Sequence, residues 1–164
     1  MYKKTLLLML FCMLACFAHA QEVTKTVHKK AVKTDVVSTG TMTIRKPDYI
    51  CISTGGDRDR LIMDGTQFTM TMGGKQHVTD SRKNTQFATF QKVLHAVING
   101  QPVPMDDDLT VTTKGSQKTI TITPAGKKRQ LFTSFVLVID AKTSAFRTLR
   151  MNGRGEDYTE YNFK

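Results

Sequence analysis

Cysteine, tryptophan and recognisable catalytic motifs are what this chain has least of. Its 164 residues include three cysteines and no tryptophan. Cys12 and Cys16 fall inside the first twenty residues, which read as an export leader. Lys3 and Lys4 form a basic start, "TLLLMLFCMLACF" an apolar middle, and "AHA" ending at Ala20 a small-x-small cleavage site. The apolar run is too short and too poorly flanked to anchor the chain across a membrane. A rival reading makes Cys16 the acylated residue of a lipoprotein signal; Met13 and Leu14 fit that pattern badly, whereas Ala18 and Ala20 fit ordinary cleavage. Cleavage after Ala20 removes residues 1–20 and leaves Cys51 as the single thiol, so no intrachain disulfide can form even in an oxidising compartment. A lone cysteine in a strand pattern reads as a small buried hydrophobe.

Catalytic machinery is absent at the level of motif. His28, His77 and His95 have no metal-ligand spacing, and no nucleophile elbow or phosphate-binding glycine loop occurs. Asp106, Asp107 and Asp108 are consecutive and lack the alternate spacing of a calcium loop, so they read as a solvated turn. Neither a metal nor a cofactor is expected, and nothing in the residues asks for an enzyme. Basic residues are not interleaved with stacking aromatics, which argues against nucleic acid. Without Lys3 and Lys4 the chain has 22 basic and 14 acidic residues, a net charge of +8. That excess favours solubility, and it is also what attraction to anionic lipid headgroups requires.

Most of what remains alternates with the period of a strand, punctuated by turn signals. Strands are predicted over Asp35–Arg45, ended by Lys46-Pro47, and over Tyr49–Ser53, "RLIM", "QFTMTM", "KQHVT", "DLTVTT", "KTITIT", "LFTSFVLVID", "FRTLRM" and "DYTEYNF". Asp64-Gly65 reads as a two-residue hairpin signal. Frequent turns between short strands predict an antiparallel meander, and residues 21–164 are long enough to form one domain with a real core. One segment differs. From Asn84 to Asn99, Phe87, Phe90, Val93, Leu94, Val97 and Ile98 recur at helical spacing, with Asn84 able to cap the start and Asn99-Gly100 the end. Methionine is plentiful outside the leader, at Met42, Met63, Met70, Met72, Met105 and Met151. It re-packs around variable shapes, so Phe68, Met70 and Met72 on one strand suggest an adaptable apolar wall.

These segments resemble the LolA family of periplasmic carriers of outer-membrane lipoproteins. "GTMTIRKPD" resembles the family's first strand and its basic-Pro stop, and "LIMDGTQFTM" its apolar-Asp-Gly hairpin. "TITITPAGKK" is similar to a strand that ends at proline, and "FTSFVLVIDAKTSAFRTLRMNGRGEDYTEYNF" to the three C-terminal strands. The likeness spans roughly Gly40 to Phe163 and implies an α+β, mostly β fold. That fold is an unclosed antiparallel half-barrel whose apolar concave face lies under a helical lid. It implies a lipid cavity built from Met42, Ile44, Phe68, Met70, Met72, Phe87, Phe90, Leu94, Ile120, Ile122, Phe135, Leu137 and Ile139, with Arg45 and Lys46 controlling the lid.

The resemblance further implies a non-catalytic, monomeric periplasmic carrier that shelters acyl chains of lipoproteins or other lipids. An inner-membrane exporter, an outer-membrane receptor and transient membrane-surface contact would be its partners. The alternative is an envelope sensing or structural module of the same shape that binds a protein. Two departures stand out. Family carriers tend to place arginine directly before the strand-ending proline, where this chain has Lys46, a point donor without the guanidinium fork. Gln21–Thr34 is short for the family's first helix; its stripe of Val23, Val27 and Ala31 allows two turns at most. Intact mass of the exported protein should show loss of residues 1–20 and no lipid adduct. A diacylglyceryl mass on Cys16 would make the protein a tethered lipoprotein instead.

Overall fold

The structure, a computed structural model, describes residues 20–125 and 130–164. The expected leader through His19, and the end of "TITITPAGKK", lie outside these residues. Eleven strands and one helix follow in order. They are β1 (Gln21–His28), β2 (Val36–Arg45), β3 (Tyr49–Thr54), β4 (Asp59–Asp64), β5 (Gln67–Met72), β6 (Lys75–Asp80), α1 (Thr85–Ile98), β7 (Leu109–Lys114), β8 (Gln117–Ile122), β9 (Ser134–Asp140), β10 (Phe146–Asn152) and β11 (Tyr158–Phe163). The strands form one unclosed antiparallel sheet in the order β6-β5-β4-β3-β2-β1-β11-β10-β9-β8-β7. β1 is therefore central, with β11 on one side and β2 on the other.

The N-terminal stretch corrects the sequence reading. Gln21–His28 is a strand and not the start of a helix. Val23 and Val27 satisfy a four-residue helical stripe, but they are also alternate strand positions with Lys25 between them. Lys25 is buried on the same side as Val23. Its charge masks the period of two, while the Val and Thr content favours a pleated, half-buried surface.

Tight hairpins link β4–β5, β5–β6 and β7–β8. Asp64 opposes Gln67, so the first loop is Gly65-Thr66, one residue later than the Asp64-Gly65 signal. Gly65 there has φ 58°, a left-handed conformation that glycine adopts without cost. The Lys46–Pro47 peptide in the β2–β3 turn is cis.

Cross-strand register builds the core. Met42, Ile52, Leu61 and Met70 form one row across β2 to β5. Ile120, Leu137, Leu149, Tyr161 and Lys25 form another across β8 to β1. Both rows are buried, and the apolar members join a single hydrophobic cluster with Phe87, Phe90, Val93, Leu94 and Val97 of α1. Ring contacts show how the sheet is bent. Phe90 stacks on Phe68 of β5 at 5.7 Å and on Phe135 of β9 at 4.5 Å. β5 and β9 are seven strand positions apart, about 34 Å in a flat sheet at the usual strand spacing. Only a sheet curled around the helix brings both to one ring.

The curl demands a residue without a side chain at Gly40. An added Cβ would fall on the Ser53 carbonyl oxygen and lie 2.7 Å from Thr54 Cα, both backbone atoms of β3. The ends of the stretch Gly40–Ser53 thus press against each other across the β2–β3 hairpin. Gly40→Ala should lower stability by at least about 3 kcal/mol, since neither strand can yield without breaking the ladder. Urea denaturation checks this; a change below about 1 kcal/mol would mean that the hairpin relaxes freely.

Candidate functional site

The helix is held in the curl by polar ties at both ends and at its middle. Asn84 caps it by accepting from Gln86 N–H, leaving the buried Gln86 side chain free to accept from Phe132 N–H at 3.1 Å. Thr89 donates its hydroxyl to the Asp108 carboxylate at 2.9 Å. Asn99 Nδ2 donates to the His95 carbonyl at 2.8 Å, completing the C-terminal turn, and to the Pro47 carbonyl of the β2–β3 turn at 2.6 Å. Residues 99–108 cover the outer side, with Val103 packed on the core. Lys92 alone among the helix residues with described side chains is exposed. The aspartate run thereby has structural work: Asp106 also faces Lys92 Nζ at 3.6 Å.

Most of the predicted cavity residues converge on this helix. Met42, Phe68, Met70, Phe87, Phe90, Leu94, Ile120, Ile122, Phe135, Leu137 and Ile139 are all buried in one cluster, and Ile44 packs at its edge. Met72 is the exception. It lies at the end of β5 and is 40% exposed, because the chain turns at Gly73 before any partner can cover it. Arg45 and Lys46 are exposed at the end of β2 and its turn. The Arg45 guanidinium sits 3.9 Å over the Tyr49 ring rather than on the helix, and Asn99 makes the helix contact to this turn.

Of the clefts that reach this core from the surface, two share a lining residue. One, of about 290 Å³, lies between the β4–β6 edge and the start of α1, lined by Leu61, Phe68, Met70, Val78 and Phe87. The other, of about 490 Å³, is lined by Met72, Phe132, Met151, Thr159, Lys29 and Arg154. Leu131 borders both and is 54% exposed. Apolar side chains thus line the route inward and also rim it. The strand predicted over "LFTSFVLVID" begins only at Ser134, so Phe132 precedes it; Phe132 was not among the expected cavity residues, and its only signal is its place in that apolar run.

Lys25 is the other residue that sequence reasoning missed. Its side chain is 2% exposed, and Nζ donates to Asp59 Oδ2 at 2.7 Å. The second Asp59 oxygen accepts from Gly73 N–H at 3.0 Å. This ties central β1 to β4 and to the β5–β6 turn. Burial alone would raise the Asp59 carboxyl. The Lys25 and Gly73 hydrogen bonds, helped by the Lys25 and Arg58 charges, outweigh it and hold the carboxyl below its ordinary value. Burial, together with the Asp59 charge, pushes the neighbouring Tyr161 phenol well above its usual range.

The remaining candidate polar residues do not gather. His28 stacks on Tyr158 at 4.9 Å and meets Asp35 at 2.7 Å, His77 lies on edge strand β6, and His95 borders the helix end. Cys51 is half-buried on β3. No group of three His, Cys, Asp or Glu able to hold a metal occurs among the described residues. No helix among them is long and apolar enough to cross a membrane.

The described residues thus form an open antiparallel sheet curled onto one helix. The family described as outer membrane lipoprotein carrier protein LolA matches residues 18–164. The chain belongs to that family. No curated protein sequence matches it. Among solved structures it is similar to a LolA superfamily protein from Nitrosomonas europaea, at 6% identity and TM-score 0.31, covering 90% of this chain and 85% of that one. A DUF1329 family protein from Desulfovibrio piger is 10% identical with TM-score 0.37, covering 88% and 82%. A chain of the CwlD amidase complex with the GerS lipoprotein from Clostridioides difficile is 10% identical with TM-score 0.34, covering 94% and 88%.

Asp59→Asn should cost about 3 kcal/mol near neutral pH, because it leaves a buried ammonium without its counter-charge. A carboxyl lowered by folding contributes stability that is complete above the unfolded-state value and is lost as pH falls through the folded one. The wild type should therefore lose this contribution as pH falls below about 4, and the variant should show a flatter acid limb there. Urea denaturation across pH checks both; an unchanged acid limb would show that the pair contributes nothing.

Proposed function

We propose that this protein is a periplasmic carrier that shelters acyl chains of lipoproteins or other lipids between the inner and outer membranes, without catalysis. The observation that carries this reading is a pair of surface clefts that share Leu131, one bordered by Met72 and Phe132 and the other walled by Phe68, Met70 and Phe87, in a chain of the LolA family. In this reading residues 1–20 are removed on export, residues 21–164 act as one domain, and the curled sheet is a half-barrel with α1 as its lid. Its chemistry suits a shuttle. Each acyl methylene withdrawn from water contributes about 0.8 kcal/mol, so partial shelter of one chain is enough for useful affinity. Methionines on the wall let the space re-pack around chains of different shape.

Release needs a partner of higher affinity, which gives the inner-membrane exporter and outer-membrane receptor their roles. Helix and cargo compete for one surface, so loading shifts α1 away from Phe68 and Phe135 at the cost of those contacts. The tie from Asn99 to Pro47 puts the turn after Arg45 and Lys46 in position to report or resist that shift. A second reading, an envelope module of the same shape that binds a protein partner, draws on the completeness of the core. Phe90 and Val93 are fully buried by the protein's own side chains.

Native mass spectrometry of the protein purified from its own envelope separates the two. Co-purifying acylated species support carriage, and a lipid-free protein with an envelope protein attached supports the second reading. Within the carrier reading, Phe135, Leu137 and Ile139 face the interior, while Val136 and Val138 alternate to the other side. Leu137→Glu should abolish binding of a fluorescent fatty-acid analogue, and Val138→Glu should preserve it. Equal loss in both, with both variants folded, would remove the interior from consideration as the binding surface.

A further inference from the structure

One end of the molecule carries apolar side chains that nothing in the fold covers. β3 pairs with β2 only over Gly40–Arg45, whereas β1 pairs with β2 back to Val36. The β1–β2 hairpin therefore projects beyond β3. In this projection and its turn, Val32, Val36 and Val37 are 51%, 63% and 61% exposed. Scattered exposed valines would need no explanation, but three in six residues concentrate apolar exposure at one projecting tip, and concentrated apolar exposure marks interaction sites.

The geometry favours a fluid surface over a second protein. Val36 and Val37 are successive strand residues, so they point to opposite faces of the hairpin. A folded partner would cover one face, whereas the boundary layer of a bilayer surrounds both. The charges agree. Lys29, Lys30 and Lys33 lie in the same turn against one carboxylate, Asp35, which meets His28 at 2.7 Å. Lys29 and Lys30 meet Asp157 and Glu156 at 3.0 and 3.1 Å, with both lysine side chains more than half exposed. Exposed pairs of this kind are weak enough to be exchanged for a stronger anion. Arg154 adds a further cation from the adjoining β10–β11 turn, and it lines the larger cleft together with Lys29.

We infer that the β1–β2 hairpin tip, residues 29–37, inserts shallowly into an anionic lipid surface through Val32, Val36 and Val37, with its lysines among the headgroups. Apolar side chains bordered by lysine give this mode of interfacial binding its affinity and its preference for anionic lipid. Because the larger cleft shares Lys29 with the hairpin, insertion seats its mouth, rimmed by Met72 and Leu131, against the membrane. An acyl chain then enters without crossing water. That last consequence rests on the carrier reading; the membrane docking does not.

The test is sedimentation with vesicles, using the protein from Gln21 onward. The wild type should bind phosphatidylglycerol-containing vesicles more tightly than pure phosphatidylcholine vesicles. Binding should fall at least about tenfold in the double variant Val36→Asp, Val37→Asp, and about fivefold in Lys33→Gln. If the double variant unfolds on heating earlier than the wild type, Val32→Asp, in the turn rather than in a strand, repeats the comparison. Absence of vesicle binding by the wild type, or equal binding by the folded valine variants, overturns the inference. So does valine-dependent self-association in sedimentation velocity, which would assign the patch to a second copy. Uptake of the fluorescent fatty-acid analogue without vesicles reads the carrier function separately. Valine-dependent vesicle binding by a protein that takes up no analogue would uphold the docking and remove the carriage.

Discussion

The structure depends on one ring. Phe90 lies between Phe68 near one edge of the sheet and Phe135 near the other, and this contact exists only while the sheet stays curled. Strand twist bends every sheet to some degree, but twist does not bring the seven-position separation of β5 and β9 onto one side chain. The helix supplies the centre of curvature. Gly40 lets β2 press onto β3 without collision, and the ties through Gln86, Thr89 and Asn99 keep the helix from rotating out. Loss of any of these loosens the same object, a core shared by one helix and both flanks of one sheet.

A second constraint is electrostatic. Lys25 stands in a row of apolar side chains, and it is tolerable only because Asp59 meets it and Gly73 N–H holds the other carboxylate oxygen. A hydrophobic pair of similar volume would serve stability as well or better. What the ion pair adds is reach, since a lysine stem spans from β1 across the curl to β4 where a valine would stop short. It closes the interior at the end where Met72 and the larger cleft lie. Tyr161, beside Lys25 in the register, stays protonated there through burial and the Asp59 charge.

Function in this reading follows from having an interior that is apolar, deformable and open at a rim. A rigid jigsaw core would bind nothing, and a fully exposed groove would aggregate. Methionines at Met42, Met63, Met70 and Met151 in the wall, and Met72 at the mouth, sit between these limits. The rim and the β1–β2 hairpin lie toward the same end of the molecule, so collection of cargo and contact with a surface need not be separate events.

How much of this was legible depends on whether the signal is local. The helix was legible to its boundaries because Asn84 and Asn99-Gly100 cap it within the segment itself. The strands from β2 onward were legible because period-two alternation and turn glycines are also local, with the Gly65-Thr66 loop misplaced by a single residue and the start of β9 placed three residues early, at Leu131 instead of Ser134. β1 was not legible. Its inward position is occupied by Lys25, and a charge is acceptable there only in the presence of Asp59, which is 34 residues away. For the same reason the exposure of Met72 and the burial of Phe132 escaped the pattern, since each depends on what the neighbouring turn does. By itself the sequence determined the helix and the strands from β2 onward, with their apolar faces, through periodicity and capping. Which strands meet, how far the sheet curls, and that a lysine belongs inside were decided only in the tertiary structure, because those contacts join residues that are distant along the chain.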